Sequence, residues 1–361
     1  MLEADIQLRL SRLNLDTAFT VASGEVLALL GPNGSGKSTT LRALMGLLPL
    51  TGGRVVLDGT VLEDPAERVK VPPEKRPIGL MFQDYLLFPH LTAAENVAFG
   101  LRARGTDKKA AHEKAAQTLA RLGLDGLAEA KPGSMSGGQQ QRVAMARALV
   151  TDPKLLLLDE PLAALDVSTK TDVRRLLREV LRQSSAANVL VTHDLLDAVA
   201  LGDRMVVIEN GAIVQTGTPA EVTAQPRSKY VADLVGVNLL RGTVHGTLLE
   251  LDGGGQLTCA AQATGPALAV IAPAAVSVSR QRPDGQQSEN TWPGHISAVD
   301  LMGDRVRVPV KGKPAITAGY RGRGACTTVR SVKISYLPNG PWRYRPGLLR
   351  RSRTSGYPGW P

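Results

Sequence analysis

The segment Gly31-Pro-Asn-Gly-Ser-Gly-Lys-Ser38 constrains this chain more than any other. It fits the pattern G-x-x-x-x-G-K-[ST] and stands between an apolar run, Val26 to Leu30, and a stretch in which Leu41, Leu44, Met45 and Leu48 recur at helical spacing. A strand, then this loop, then a helix is the context in which such a loop binds phosphate. Its glycines let the backbone close around oxygens, while successive N–H groups and the positive helix end attract the anion. Gly31, Pro32, Asn33, Gly34, Ser35, Gly36, Lys37, Ser38 and Thr39 therefore form the candidate cradle. Lys37 is expected to reach the β and γ phosphates of a nucleotide, and the Ser38 hydroxyl to ligate Mg²⁺.

A second feature supports the first. Leu155-Leu-Leu-Leu-Asp159-Glu160 is an apolar run ending in two carboxylates. A strand this apolar is buried on both faces, so its end opens into the crevice where α/β sheets bind ligands. Alone, an Asp-Glu pair reads as two solvated surface charges. Beside a phosphate loop, Asp159 is placed to hold Mg²⁺ and Glu160 to act as general base on an attacking water.

Between these two stands Ser136-Gly-Gly-Gln-Gln140, opening a helical run through Val150. Ser136, Gly137, Gly138 and Gln139 offer a hydroxyl and free N–H groups at a positive helix end, a second anion cradle. The segment resembles the signature sequence of ABC-transporter ATPases. Further matches follow in order: Gln83 in Met81-Phe-Gln-Asp84, Ala163-Ala-Leu-Asp166, and His193 in Val191-Thr-His-Asp194. The resemblance implies that the signature serves the ATP of a second copy, two chains sandwiching two nucleotides head to tail. It further implies that Gln83 contacts Mg²⁺ or water and reports to a membrane partner, that His193 contacts the γ-phosphate and helps hold the water, and that Asp166 shapes the dimer interface. Two departures stand out. Met135 replaces the usual leucine before the signature, and where the family places an aromatic residue shortly before the loop to stack on adenine this chain has Arg12, Leu13 and Leu15, with only Phe19 nearby. The N-terminal strand pair looks short.

The fold class expected is α/β, a P-loop ABC ATPase core with an inserted helical subdomain, followed by a small C-terminal OB-like β-barrel. Residues 1–235 form the ATPase domain in this reading, with the helical subdomain at about 83–149. Short alternating segments with glycine turns begin near Asn238: Leu239 to Val244, Leu248 to Leu251, Ala267 to Ile271, Gly294 to Val299 and Arg305 to Val310. These place a regulatory β-barrel at 236–317, with strands to close it missing from view, then a basic tail, disordered or diverged, at 318–361. Pro283 to Asn290 reads as a loop.

Pro72-Pro-Glu-Lys-Arg-Pro77, Leu87-Phe-Pro-His-Leu91 and Glu95-Asn-Val97 are similar to the import branch of the family. Within it, Val235-Gly-Val-Asn-Leu-Leu-Arg241, Trp292-Pro-Gly-His-Ile296 and Gly303-Asp-Arg-Val306 resemble molybdate-import ATPases, whose barrel is of the molybdate- or oxyanion-binding type. That resemblance implies a homodimer that works with integral membrane permease subunits, and indirectly with an extracytoplasmic substrate-binding protein. Sulfate, ferric iron and polyamines stay open as cargo, and a non-transport ABC ATPase is the more distant alternative.

Composition bears on location and partners. With only Cys259 and Cys326, no disulfide framework is available, and no run of 18 apolar residues exists to span a bilayer. A peripheral position at the cytoplasmic face of the membrane is expected. The net charge of +10 is concentrated at one end, since the 57 residues after Asp304 hold 13 Arg and Lys and no acid, leaving residues 1–304 at −3. No nucleic-acid footprint follows from a near-neutral body. Interleaved Arg and aromatic residues from Trp342 read as a basic tail. His90, His112, His245 and His295 have no metal-ligand spacing and read as structural or solvated.

Overall fold

Val26–Leu30 is buried at every position, as is Ala187–Val191, and so are the four leucines of Leu155–Asp159. Strands covered on both faces belong in the interior of a parallel sheet. The computed structural model, which describes residues 1–163, 165–279, 290–297, 300–302, 305–312, 314–320, 326–329 and 333–336, places them there.

The first sheet has eleven strands. In chain order they are β1 (Leu2–Leu10), β2 (Leu13–Val21), β3 (Val26–Leu30), β4 (Gly52–Leu57), β5 (Thr60–Asp64), β6 (Val69–Lys70), β7 (Ile78–Met81), β8 (Leu155–Asp159), β9 (Ala187–Val191), β10 (Arg204–Glu209) and β11 (Ala212–Gly217). Their spatial order is β6-β5-β4-β1-β2-β11-β10-β3-β9-β8-β7. The half from β10 to β7 is parallel; the half from β6 to β2 is antiparallel. The N-terminal pair is longer than expected, β1 and β2 having nine residues each. Asp5, Arg9 and Asp16 interrupt the apolar run without breaking the alternation that buries Leu2, Ala4, Ile6 and Leu8.

Helix α1 (Lys37–Leu44) follows β3, and three helices, α2 (Ala93–Ala103), α3 (Lys108–Arg121) and α4 (Gly137–Leu149), fill the connection from β7 to β8. α2 starts on a capping box between Thr92 and Glu95, and its Val97, Ala98 and Leu101 pack with Leu119, Val143 and Met145. After β8 come α5 (Val167–Gln183), α6 (Leu195–Leu201), α7 (Pro219–Ala224) and α8 (Lys229–Val235).

The far end of α1 is fixed by a buried ion pair. Arg76 and Glu63 meet at 2.6 Å with side chains 0% and 3% exposed. The Arg76 guanidinium also donates to the carbonyls of Leu44 and Val71 at 2.7 and 2.9 Å, and Glu63 accepts the Leu50 N–H. The sequence Pro72 to Pro77, recognised above by resemblance, thus closes the last turn of the phosphate-loop helix.

Beyond α8 the chain forms two small sheets. β12 (Asn238–Leu251) and β13 (Gln256–Ile271) pair along most of their length, with β20 (Lys333–Tyr336) on the other edge of β13. β14 (Val276–Ser279), β15 (Thr291–Ile296), β16 (Asp300–Met302), β17 (Arg305–Gly312), β18 (Ile316–Tyr320) and β19 (Cys326–Val329) form the second. Their shared core includes Val244, Leu249, Leu257, Cys259, Ile271 and Val310. Two expectations differ from this. The segments Leu239 to Val244 and Leu248 to Leu251 are one strand, because the register shift at Gly246 bends β12 without ending it. And the chain after 318 is not all tail, since β18, β19 and β20 pair with earlier strands; pieces of four or five residues show too little alternation to be read locally. Residues 283–289 of the expected loop, Gly303, Asp304 and the segment from Trp342 lie outside the described residues.

Candidate active site

Four neighbouring parallel strands deliver the site at their C-terminal ends. Gly31 follows β3 directly, His193 follows β9 by two residues, Asp159 ends β8 with Glu160 next, and Gln83 lies just past β7. Because the spatial order is β3-β9-β8-β7, residues far apart in sequence converge on one edge, the usual place for ligands in an open α/β sheet. A cleft of about 630 Å³ is lined by Gly31, Pro32, Asn33, Gln83, Glu160 and His193, together with Tyr230 and Leu234 of α8.

The phosphate loop needs its glycines at two positions in particular. Gly31 has φ of 155°, and a Cβ there would stand 2.1 Å from the Ile208 carbonyl oxygen; Gly36 has φ of 114°, and its Cβ would meet the Leu15 side chain at 2.6 Å. Gly36 is also the N-cap of α1, and no side chain caps that end. The first-turn N–H groups are left for an anion. Lys37 folds over the loop, its Nζ donating to the Gly31 and Pro32 carbonyls at 2.7 and 2.9 Å. Burial pushes the ammonium below its ordinary pKa, opposed by the carboxylates of Glu160 and Asp159.

Asp159 is pushed above its usual range, first by burial and then by Glu160; Arg42, Lys37 and a hydrogen bond from the Ser38 hydroxyl oppose the shift. Ser38 and Asp159 present two hard oxygen donors side by side, and among the described residues no group of three or more His, Cys, Asp or Glu is arranged to hold a metal ion by itself. That donor set fits Mg²⁺, which keeps waters and takes its other ligands from phosphate. Glu160 sits at φ of 46°, a left-handed conformation unusual for a glutamate and typical of functional positions. Its backbone N–H donates to the Val191 carbonyl at 2.9 Å, and its Oε2 lies 3.0 Å from His193 Nδ1. The carboxylate is largely covered, with 17% exposure, while the imidazole is 59% exposed toward the open cleft.

The signature residues are placed elsewhere. Ser136 caps α4, its hydroxyl accepting the Gln139 N–H at 3.3 Å while Gln139 Oε1 accepts the Ser136 N–H at 2.9 Å. Gly137 and Gly138 form the first turn of that helix, and none of the four lines the phosphate cleft of its own chain. Asp166 caps α5, and hydrogen bonds from Ser168 and the Thr169 N–H hold its carboxyl far below the usual range. Of the residues near the loop, Leu13 and Leu15 approach Gly36, whereas Phe19 is 2% exposed in the core.

Sequence reasoning missed three residues. Tyr230 and Leu234 enter the cleft from α8, some 200 positions from the loop, and only their four-residue spacing on a helix links them. Arg147 of α4 donates to the carbonyls of Tyr85 and Leu86 at 2.7 and 2.8 Å. It thereby clamps two consecutive residues with positive φ just after Gln83. No local pattern announces either contact.

Comparison with known proteins places this site among relatives. Residues 15–163 match the family described as ABC transporter. The chain is 43% identical over 324 residues to the molybdenum import ATP-binding protein of Mycobacterium tuberculosis, covering 87% of each. It is 44% identical over 221 residues to the Fe(3+) ions import ATP-binding protein of Rhizobium etli, covering 61% of each. Among solved structures, a dimeric ATP-binding cassette in a post-hydrolysis state, bound to ADP and Pi, matches with TM-score 0.51 and 31% identity over 61% of this chain and 99% of that one.

Proposed function

Because the chain belongs to the import-type ABC-transporter ATPases, we propose that it hydrolyses ATP to drive uptake of molybdate, or a similar oxyanion, through separate membrane subunits. The observation that carries the cargo reading is the 43% identity to the molybdenum importer subunit, which extends over 324 residues and so past the cassette into the C-terminal sheets. Ferric iron and sulfate are the second readings, favoured by relatives for those cargoes that are 37% and 38% identical over 306 and 304 residues, a similar span at lower identity.

The mechanism follows from the cleft. The triphosphate lies across the uncapped N-terminus of α1, where Lys37 exchanges the Gly31 and Pro32 carbonyls for phosphate oxygens. Ser38 and Asp159 would hold Mg²⁺, which when bound would neutralise charge on those oxygens. Glu160 takes the proton of the attacking water, and His193, 3.0 Å from the same carboxylate, orients that pair and faces the γ-phosphate. Ser136, Gly137, Gly138 and Gln139 cradle the nucleotide of a second copy, so two chains close head to tail on two nucleotides. ATP drives closure only as far as the closed dimer binds it more tightly than the open one.

The membrane side lies next to Gln83. Leu86 and Phe99 are 53% and 47% exposed, and Phe99 lies against Phe88, the ring centroids 4.6 Å apart and the planes tilted by 43°, with the Arg147 guanidinium over the Phe88 ring. This apolar surface is the docking place for the permease. Among the described residues no helix is long and apolar enough to cross a membrane, in keeping with a peripheral subunit at the cytoplasmic face. The sheets from residue 236 onward act as a regulatory module of the oxyanion-binding type.

The test is ATPase activity of the transporter reconstituted with its permease and binding protein, comparing molybdate, tungstate, sulfate and ferric iron. Stimulation by molybdate and tungstate alone is the expected result. Stimulation by ferric iron alone would keep the importer and replace the cargo.

A further inference from the structure

Helix α8 is anchored on one side and exposed to the cleft on another. Ser228 caps it by accepting the Val231 N–H at 3.2 Å, and Val231 and Ala232 are each 1% exposed, Val231 packing in the cluster of Ala28, Leu30, Met205 and Val207. That anchoring turns Tyr230 and Leu234 toward the phosphate cleft. The Tyr230 hydroxyl oxygen is buried beside the Gly31 backbone N–H, but its own proton has no acceptor, and Oε1 of Glu209 at the end of β10 is likewise buried without a partner. The groups around the phenol are the Gly31 backbone and the carboxylates of Glu209 and Glu160. A phenylalanine would fill the same space without burying a hydroxyl, so the oxygen weakens the fold unless it meets a partner. Phosphate oxygens are acceptors, and a phenolic O–H can donate to them.

We propose that the Tyr230 hydroxyl donates a hydrogen bond to the phosphate end of the bound nucleotide, making α8 part of the active site. The proposal rests on the ATPase reading above. Its consequence is positional, because α8 leads through Gly236 directly into β12. The other face of the helix, with Lys229 and Asp233 paired at 2.8 Å, lines a second cavity of about 480 Å³ with Asn238, Lys311 and Thr317. One seven-residue helix is shared between the nucleotide and the C-terminal sheets.

Tyr230→Phe in the full chain is the test, read by melting temperature of the free protein, by the shift that Mg·ATP adds to it, by ATP affinity and by phosphate release. The free variant should melt at or above the wild-type temperature, which shows that it folds. The expected loss is about tenfold in kcat or in ATP affinity, with a correspondingly smaller ATP-induced shift. Affinity and kcat both within about twofold of wild type would overturn the assignment and leave Tyr230 a packing residue. A wild-type protein that gains no stability from Mg·ATP and releases no phosphate would instead refute the ATPase reading, and the Tyr230 proposal with it.

Discussion

Two helices of this chain begin in glycine-containing turns, and they begin differently. α1 starts at Gly36 with no side-chain cap, whereas α4 starts at Ser136 inside a closed capping box with Gln139. The first end has donors to spare and is an anion site as it stands. At the second, the Ser136 hydroxyl and the Gln139 N–H are already bonded to each other, so an anion there competes with the chain's own cap. The difference teaches which cradle should bind unaided. In the mechanism proposed above, a nucleotide settles on α1 first, and α4 engages it only when a second copy carries it there.

The sharpest way to separate the two ends is Glu160→Gln. Both helix starts stay intact, so ATP affinity should change little while turnover falls about a thousandfold, the middle of the range for loss of a positioned base. Nucleotide titration beside a phosphate-release assay checks this, and turnover within tenfold of wild type would remove Glu160 from its role. Next in size is Arg76→Met, which attacks α1 from its far end. It leaves Glu63 buried and unpaired and should cost about 3–5 kcal/mol in urea unfolding; adding Glu63→Leu should recover much of it. An unchanged midpoint in the single variant would show that the pair does not hold the helix.

Ser136→Ala opens the closed end. Loss of the cap should cost about 1 kcal/mol of stability and leave ATP affinity of the dilute protein alone, while turnover at dimer-forming concentration drops. Equal turnover would mean that this end never meets a phosphate. The smallest effect belongs to a third helix start, that of α6. Asp194 caps it and faces Lys170 of α5. Burial raises its pKa, but Lys170 and the Leu196 N–H outweigh burial and hold it below the usual carboxylate value. A carboxyl lowered in the folded state adds stability above its unfolded pKa and loses it as pH falls through the folded one. Asp194→Asn keeps a good cap and removes the charge. Melting should therefore drop by a degree or two at neutral pH, and the gap to wild type should vanish in strong acid; a gap independent of pH would assign it to the cap alone.

What the sequence disclosed follows the same division between local and distant. The loop at Gly31, the acids at Asp159 and Glu160 and the box at Ser136 are legible because each is a short continuous segment whose chemistry resides in its own backbone. Arg76 is legible only as part of a familiar string, since its partners at Ala43, Leu44 and Glu63 lie on other elements. Tyr230 and Arg147 are silent, because what makes them matter is the place to which packing brings them. The strands past Ala318 were hidden for the opposite reason: β19 and β20 have only four residues each, and their partners β14, β15 and β13 lie more than 30 residues away.

The order β3-β9-β8 also sets a timetable. The strand between the phosphate loop and the two acids is the last of the three to leave the ribosome, and Asn188 within it is fully buried, bonding to the Glu25 and Ala186 carbonyls. Until that strand is inserted, the loop and the acids sit on two pieces of chain with nothing to align them. A nascent or partly unfolded molecule can therefore hold a phosphate or an acid but not both in register, and it spends no ATP before the sheet is closed.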